Sequence, residues 1–163
     1  MKIYDIPTPA LIIDEPTFMR NLRRMADLCG DKLRPHFKSH KCADIAKMQL
    51  DAGAKGMTCA TLREAEDLAR IGCPDILFAN QIADSAKADR LARIAGMTRL
   101  TVCAEKREEL ELYSRAAVKA GTTIGVYAEY NTGMERMGLD SIEAVLGLVN
   151  MIGGMPGLRF DGV

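Results

Sequence analysis

Short apolar runs alternate with longer stretches of helical periodicity along the whole chain. The runs fall at 33–38, 56–60, 75–80, 99–105, 123–131 and 158–163, and each is short and apolar enough to predict a strand buried on both faces. Between them lie helical stripes. Asp14 or Glu15 caps a helix in which Phe18, Leu22, Met25 and Cys29 share one face, with Arg20, Arg23, Arg24 and Asp27 mostly elsewhere. A second helix starts in Cys42–Met48. Leu62, Ala65, Leu68 and Ala69 mark the third, Leu91, Ile94 and Ala95 the fourth. Leu110, Tyr113, Ala117 and Ala120 mark the fifth, closed by Gly121, and Asp140 with Glu143 resembles a capping box opening the sixth.

Strand starts recur about every 19–24 residues until the last, longer interval, which predicts a βα repeat in a parallel sheet. A doubly wound sheet and a (β/α)8 barrel both use that unit. No G-x-G-x-x-G follows the first run and no G-x-x-x-x-G-K-[ST] occurs, so the barrel is favoured. Six barrel-like strands, the last at the end of the chain, predict an incomplete α/β TIM barrel. Residues 8–14 form an extra extended segment outside this rhythm.

Charge is balanced, with 22 basic and 22 acidic side chains among 163 residues, so no overall electrostatic case exists for nucleic acid or an anionic membrane. Hydrophobic residues at 48% with aromatics at 5% suit a helix-rich α/β protein. Cys29, Cys42, Cys59, Cys73 and Cys103 are scattered, with no C-x-x-C pair, which argues against a disulfide framework or zinc knuckle. No run approaches a membrane span, and the first residues lack a long apolar core. A cytoplasmic protein is expected.

Chemistry concentrates in Leu33-Arg34-Pro35-His36-Phe37-Lys38-Ser39-His40-Lys41, which holds both histidines of the chain. As a strand, it would aim Arg34, His36, Lys38 and His40 at one face, where burying the charge requires an anion or a covalent partner. A solvated basic lip is the plainer alternative. The segment precedes a helix and so stands at the carboxyl end of a strand, where α/β proteins place their sites. Lys38 is the best-placed Schiff-base former, because neighbouring positive charge and partial burial favour the neutral, nucleophilic amine. Lys41 competes but has the opposite parity. A second cluster, Glu129–Leu139, carries Gly133 and Gly138 around Arg136, a guanidinium that can donate to an anionic oxygen or simply lie on the surface of a glycine-bearing loop.

Thr8-Pro9-Ala10-Leu11, then Arg34-Pro35-His36-Phe37-Lys38-Ser39-His40-Lys41, then Ala60-Thr61-Leu62-Arg63-Glu64-Ala65-Glu66, then Asn131-Thr132-Gly133-Met134-Glu135-Arg136-Met137-Gly138 resembles the ordered motif set of pyridoxal-phosphate enzymes of the alanine racemase fold. The resemblance is strongest to the D-threonine aldolase and D-serine dehydratase branch and runs from Thr8 to Val163. It implies that Lys38 binds pyridoxal phosphate as an imine, that Arg136 lies beside the cofactor's phenolic oxygen, and that His36 and His40 line the site.

The resemblance further implies a lyase acting on D-β-hydroxy amino acids, by retro-aldol cleavage of Cα–Cβ in a D-threonine aldolase-like enzyme. The alternatives are a D-serine dehydratase-like ammonia-lyase and a non-catalytic pyridoxal-phosphate carrier barrel. The family's divalent metal, manganese or zinc, is held in a C-terminal β-domain, so no metal ligand is assigned within these 163 residues. Residues 1–14 would then supply a leading strand to that β-domain, and 15–163 a partial cofactor-binding barrel. The full-length enzyme is expected to be a homodimer, and this chain alone to be inactive.

Overall fold

The computed structural model describes residues 3–163. Helices and strands alternate through most of it: α1 (Glu15–Cys29), α2 (Ala43–Asp51), β1 (Met57–Cys59), α3 (Leu62–Arg70), β2 (Asp75–Phe78), α4 (Ser85–Ala95), β3 (Arg99–Ala104), α5 (Arg107–Ala120), β4 (Ile124–Ala128), α6 (Ile142–Gly154) and β5 (Leu158–Gly162). The five strands lie side by side in chain order, and every pairing is parallel. Sequential parallel neighbours joined by helices are the arrangement of a barrel wall, here an incomplete one.

Local chemistry sets the helix ends. Asp14 accepts from the Thr17 amide, Thr61 from Glu64 and Asp84 from Lys87, each satisfying an orphan N–H of a first turn. The sixth helix is capped by Ser141, whose hydroxyl accepts from the Ala144 amide, and not by the expected Asp140. Asp140 instead accepts from the Asn131 side chain at 2.8 Å, a contact between the two ends of a loop that local spacing does not reveal. Two buried carboxylates reach back across helix starts in the same manner: Glu64 accepts from Ala60 N–H, and Glu109 from Glu105 and Lys106 N–H.

The core lies between the sheet and its helices. Met57, Cys59, Ile76, Phe78, Leu100, Val102, Ala104, Ile124, Val126 and Ala128 point outward from the barrel wall and pack with Leu68, Leu91, Leu110 and Ile152. Each such aliphatic side chain stabilises the fold by about 1.5–3 kcal/mol on burial. The alternate positions were expected to be apolar as well, and they are not. Thr58, Asp75, Leu77, Arg99, Thr101, Cys103, Tyr127, Arg159 and Asp161 occupy the opposite face, so these strands are apolar on one side and largely polar on the other.

That inner face is held by an ion network that joins the amino ends of β2 and β3 to Asp161 in β5. Arg34 and Arg99 meet Asp75 at 2.7 and 3.6 Å, while Arg99 and Arg159 both meet Asp161 at 2.7 Å. The Thr101 hydroxyl donates to Asp161 at 2.6 Å. Gly125 makes the room: a Cβ there would fall 1.9 Å from Asp161 Oδ2. Burial tends to raise the Asp161 pKa, but hydrogen bonds from Arg159 and Thr101 and the charges of Arg159 and Arg99 outweigh it and hold the carboxyl below its ordinary value.

The expected strand at 33–38 does not form as such. The chain is extended at its start, where Lys55 N–H donates to Leu33 O and Thr58 N–H to Pro35 O, and His36 makes a single parallel bridge to Thr58. Pro35 has no N–H to offer a ladder, and at Phe37–Ser39 the backbone tightens into a 3-10 turn. The first of the six expected barrel positions is therefore a bridged edge segment beside five strands. Residues 8–14 lie in no strand or ladder of this chain, and Leu11, Ile12 and Ile13 are exposed. Met1 and Lys2, which belong to the expected leading segment, lie outside the described residues. Among the described residues no helix is long and apolar enough to cross a membrane.

Candidate active site at the carboxyl ends of the strands

Lys38 sits in the middle of the 3-10 turn that follows the edge segment, beyond β1 and at the carboxyl end of the wall. The turn is made by its own side chains. His36 Nδ1 accepts from the Lys38 amide at 3.3 Å, Lys41 N–H donates to Phe37 O at 2.8 Å, and the buried Phe37 anchors the turn to the core. Phe37 also meets the His40 ring edge-on at a centroid distance of 5.3 Å.

This turn breaks the parity expected of a strand, so Arg34, His36, Lys38 and His40 do not share one face. Arg34 points into the wall, to Asp75 and Tyr127. His40 turns toward α2: its Nδ1 accepts from the Cys42 amide at 3.1 Å, which leaves the proton on Nε2 to meet Gln49 Oε1 at 3.2 Å. His36 stays beside Lys38, its pKa lowered first by burial and then by the Lys38 charge, with Glu64 acting in the opposite sense. Lys38 itself is exposed rather than part-buried.

The two lysines of the turn differ in their partners. Lys41 holds a left-handed backbone, φ 49°, and its Nζ stands 3.4 Å from Glu64 Oε1. The Lys38 amine has no hydrogen-bond or ion-pair partner among the described residues.

Arg136 lies in the loop that joins β4 to α6. Asn131 organises it, its Oδ1 accepting from the amides of Gly133 and Glu135 at 3.0 and 3.2 Å. Leu139 N–H donates to Glu129 O, and Asn131 N–H to Leu139 O, which closes the loop at its base. Gly138, at φ +100°, can be nothing else: a Cβ would stand 2.6 Å from the Asn131 nitrogen and 2.7 Å from the Tyr130 carbonyl carbon. Its amide donates to Glu105 at the end of β3. Arg136 lines a polar cleft with Glu105, Asn131, Gly138 and Asp140, and its guanidinium also lacks a protein partner among the described residues.

Gln81, Glu105 and Glu129 stand at neighbouring strand ends on the same rim, and the sequence patterns single out only the last. The Gln81 amide donates to Glu129 and leaves its own Oε1 buried without a partner. Gln81 falls just after an apolar run and Glu105 ends one, the one signal that could have marked them. No three His, Cys, Asp or Glu side chains among the described residues stand close enough together to hold a metal ion. An amine and a guanidinium that lack partners among the described residues fit an aldehyde-bearing anionic cofactor that takes a lysine covalently.

A family model described as alanine racemase, N-terminal domain, matches residues 13–163. The chain is 38% identical over 165 residues to the 3-hydroxy-D-aspartate aldolase of Paracoccus denitrificans, covering 98% of this chain and 42% of that protein. It is 36% identical over 161 residues to the D-threonine aldolase of Arthrobacter sp, covering 97% and 42%. The crystal structure of D-threonine aldolase from Filomicrobium marinum superposes with a TM-score of 0.95 at 37% identity, over 99% of this chain and 44% of that one. The chain thus spans about four-tenths of the length of these relatives.

Proposed function

Because this chain belongs to the alanine racemase N-terminal domain family, we propose that it forms the lysine-bearing part of a pyridoxal-phosphate lyase that cleaves D-β-hydroxy amino acids by a retro-aldol reaction. The observation that carries this reading is the contrast on one turn between the Lys38 amine, without a partner among the described residues, and the Lys41 amine paired with Glu64. Similarity to two aldolases of D-β-hydroxy amino acids supports the substrate class.

Lys38 would hold the cofactor covalently through Nζ, and Arg136 would donate to its phenolic oxygen. Bound there, pyridoxal phosphate supplies an electron sink for the charge left when a bond at an amino-acid α-carbon breaks. Neutral His36, with Nδ1 occupied by the Lys38 amide, carries its proton on Nε2 and offers a donor beside the lysine. His40 supports the turn from α2 and lines the site only through Phe37. Glu105 and Asn131 fix the loop on which Arg136 is presented.

The exposed apolar segment 8–14 suits a strand that pairs with a β-domain, and the divalent metal, manganese or zinc, would be held by ligands outside these residues. A cytoplasmic homodimer is the form proposed for the whole enzyme. Feeding D-threonine or 3-hydroxy-D-aspartate, with pyridoxal phosphate and manganese, to an enzyme containing this barrel segment should release glycine with acetaldehyde or glyoxylate. Release of ammonia and a 2-oxo acid in their place would select the dehydratase reading instead.

A further inference from the structure

Two lysines three residues apart on one turn present a problem of selectivity, since a small aldehyde can condense with either amine. Glu64, on the first turn of α3, is buried to 4% exposure, and its two oxygens have different tasks. Oε2 accepts the Ala60 amide at 2.9 Å, which fixes the carboxylate against the end of β1. Oε1 is left to face Lys41 Nζ at 3.4 Å. A carboxylate so fixed presents Oε1 at one place, within ion-pair distance of the Lys41 amine.

We propose that Glu64 is a specificity-determining residue that selects Lys38 over Lys41 as the cofactor lysine, by engaging the Lys41 amine and leaving Lys38 Nζ as the free amine of the turn. This rests on the cofactor reading above. The left-handed backbone of Lys41, unusual for a residue with a Cβ, sends its side chain out of the path of the turn and into reach of α3. Lys38 and Lys41 therefore leave the same turn toward different partners. For Lys41 to react, its contact with Glu64 must break and the ammonium must lose a proton. Its nitrogen can then add to the aldehyde carbon, and water leaves as the C=N bond forms.

Incubating the 163-residue chain with limiting pyridoxal 5′-phosphate, reducing the C=N bond with borohydride and mapping the labelled peptides reads the selectivity directly. Exposed Lys47 and Lys55 serve as internal references for non-specific labelling. In the wild type, Lys38 labels above the references and Lys41 does not. Glu64→Gln keeps an oxygen for the Ala60 amide but loses the charge, and Glu64→Asp withdraws it by one methylene. Either should raise Lys41 labelling several-fold relative to Lys47. Raising the salt to about 1 M, where charge interactions are screened over about 3 Å, should shift the ratio in the same direction with no substitution at all. If Lys38 stays selective while Lys41 labelling is unmoved by the folded variants and by salt, Glu64 has no such role. If wild-type Lys38 never exceeds the references, the cofactor reading fails instead.

Discussion

The amino ends of the strands and their carboxyl ends both carry cations, yet the two regions treat them in opposite ways. At the amino ends Arg34, Arg99 and Arg159 are each matched to Asp75 or Asp161. At the carboxyl ends Lys38 and Arg136 have no partner among the described residues, although Glu64, Glu105 and Glu129 stand on the same rim and are engaged elsewhere. A paired cation inside a barrel wall holds strands together. An unpaired one, presented on a turn or loop built by other side chains, is available to a ligand. Between these two ends, partner assignment rather than cation density separates the cations that hold the wall from those open to a ligand.

If that contrast is right, substitutions at the two ends should separate stability from cofactor binding. The largest effect is expected from Asp161→Ala, which strips Thr101, Arg99 and Arg159 of their shared acceptor; urea unfolding should show a loss of about 3 kcal/mol with Lys38 reactivity retained. Gly125→Ala belongs to the same end, where a Cβ 1.9 Å from Asp161 Oδ2 must push the carboxylate aside, at about 1–3 kcal/mol. Arg136→Ala should do the reverse, weakening pyridoxal-phosphate retention by about 1.5–3 kcal/mol, as for a hydrogen bond to a charged group, while leaving the unfolding midpoint in place. Equal losses of stability and of cofactor retention in any of these variants would dissolve the contrast.

Acid titration sharpens it further. The folded Asp161 pKa is depressed, so the stabilisation it contributes is present above the ordinary carboxylate value of 3.8 and is lost as pH falls through the lower folded value. Wild type should therefore lose stability below about pH 4 more steeply than Asp161→Asn, followed by circular dichroism. The smallest effect is Ser141→Ala, which removes the cap of α6 and should cost about 1 kcal/mol without touching either end's chemistry.

Much of the wall was legible in the apolar runs, because β2, β3 and β4 each bury one row of aliphatic side chains against helices whose stripes repeat on schedule. The other row was not legible. Arg99 finds Asp75 across 24 residues of chain and Asp161 across 62, pairings that no local window contains. At the edge segment, Pro35 and the Nδ1 of His36 ended the strand before Lys38, so parity was the wrong guide there. Lys38 and Arg136 were marked nonetheless by residue type and motif, and it is their lack of partners among the described residues, visible only in three dimensions, that distinguishes them from Arg34 and Lys41.

The central claim is that Lys38, and no other lysine of this chain, is the residue that takes the cofactor. Borohydride reduction of the chain equilibrated with pyridoxal phosphate, followed by peptide mass spectrometry of wild type and Lys38→Ala, tests it most directly. The account predicts a reduced phosphopyridoxyl group on the peptide containing Lys38, and its disappearance without transfer to Lys41 in the variant. Modification centred on Lys41, or spread evenly over the surface lysines in both proteins, would contradict it.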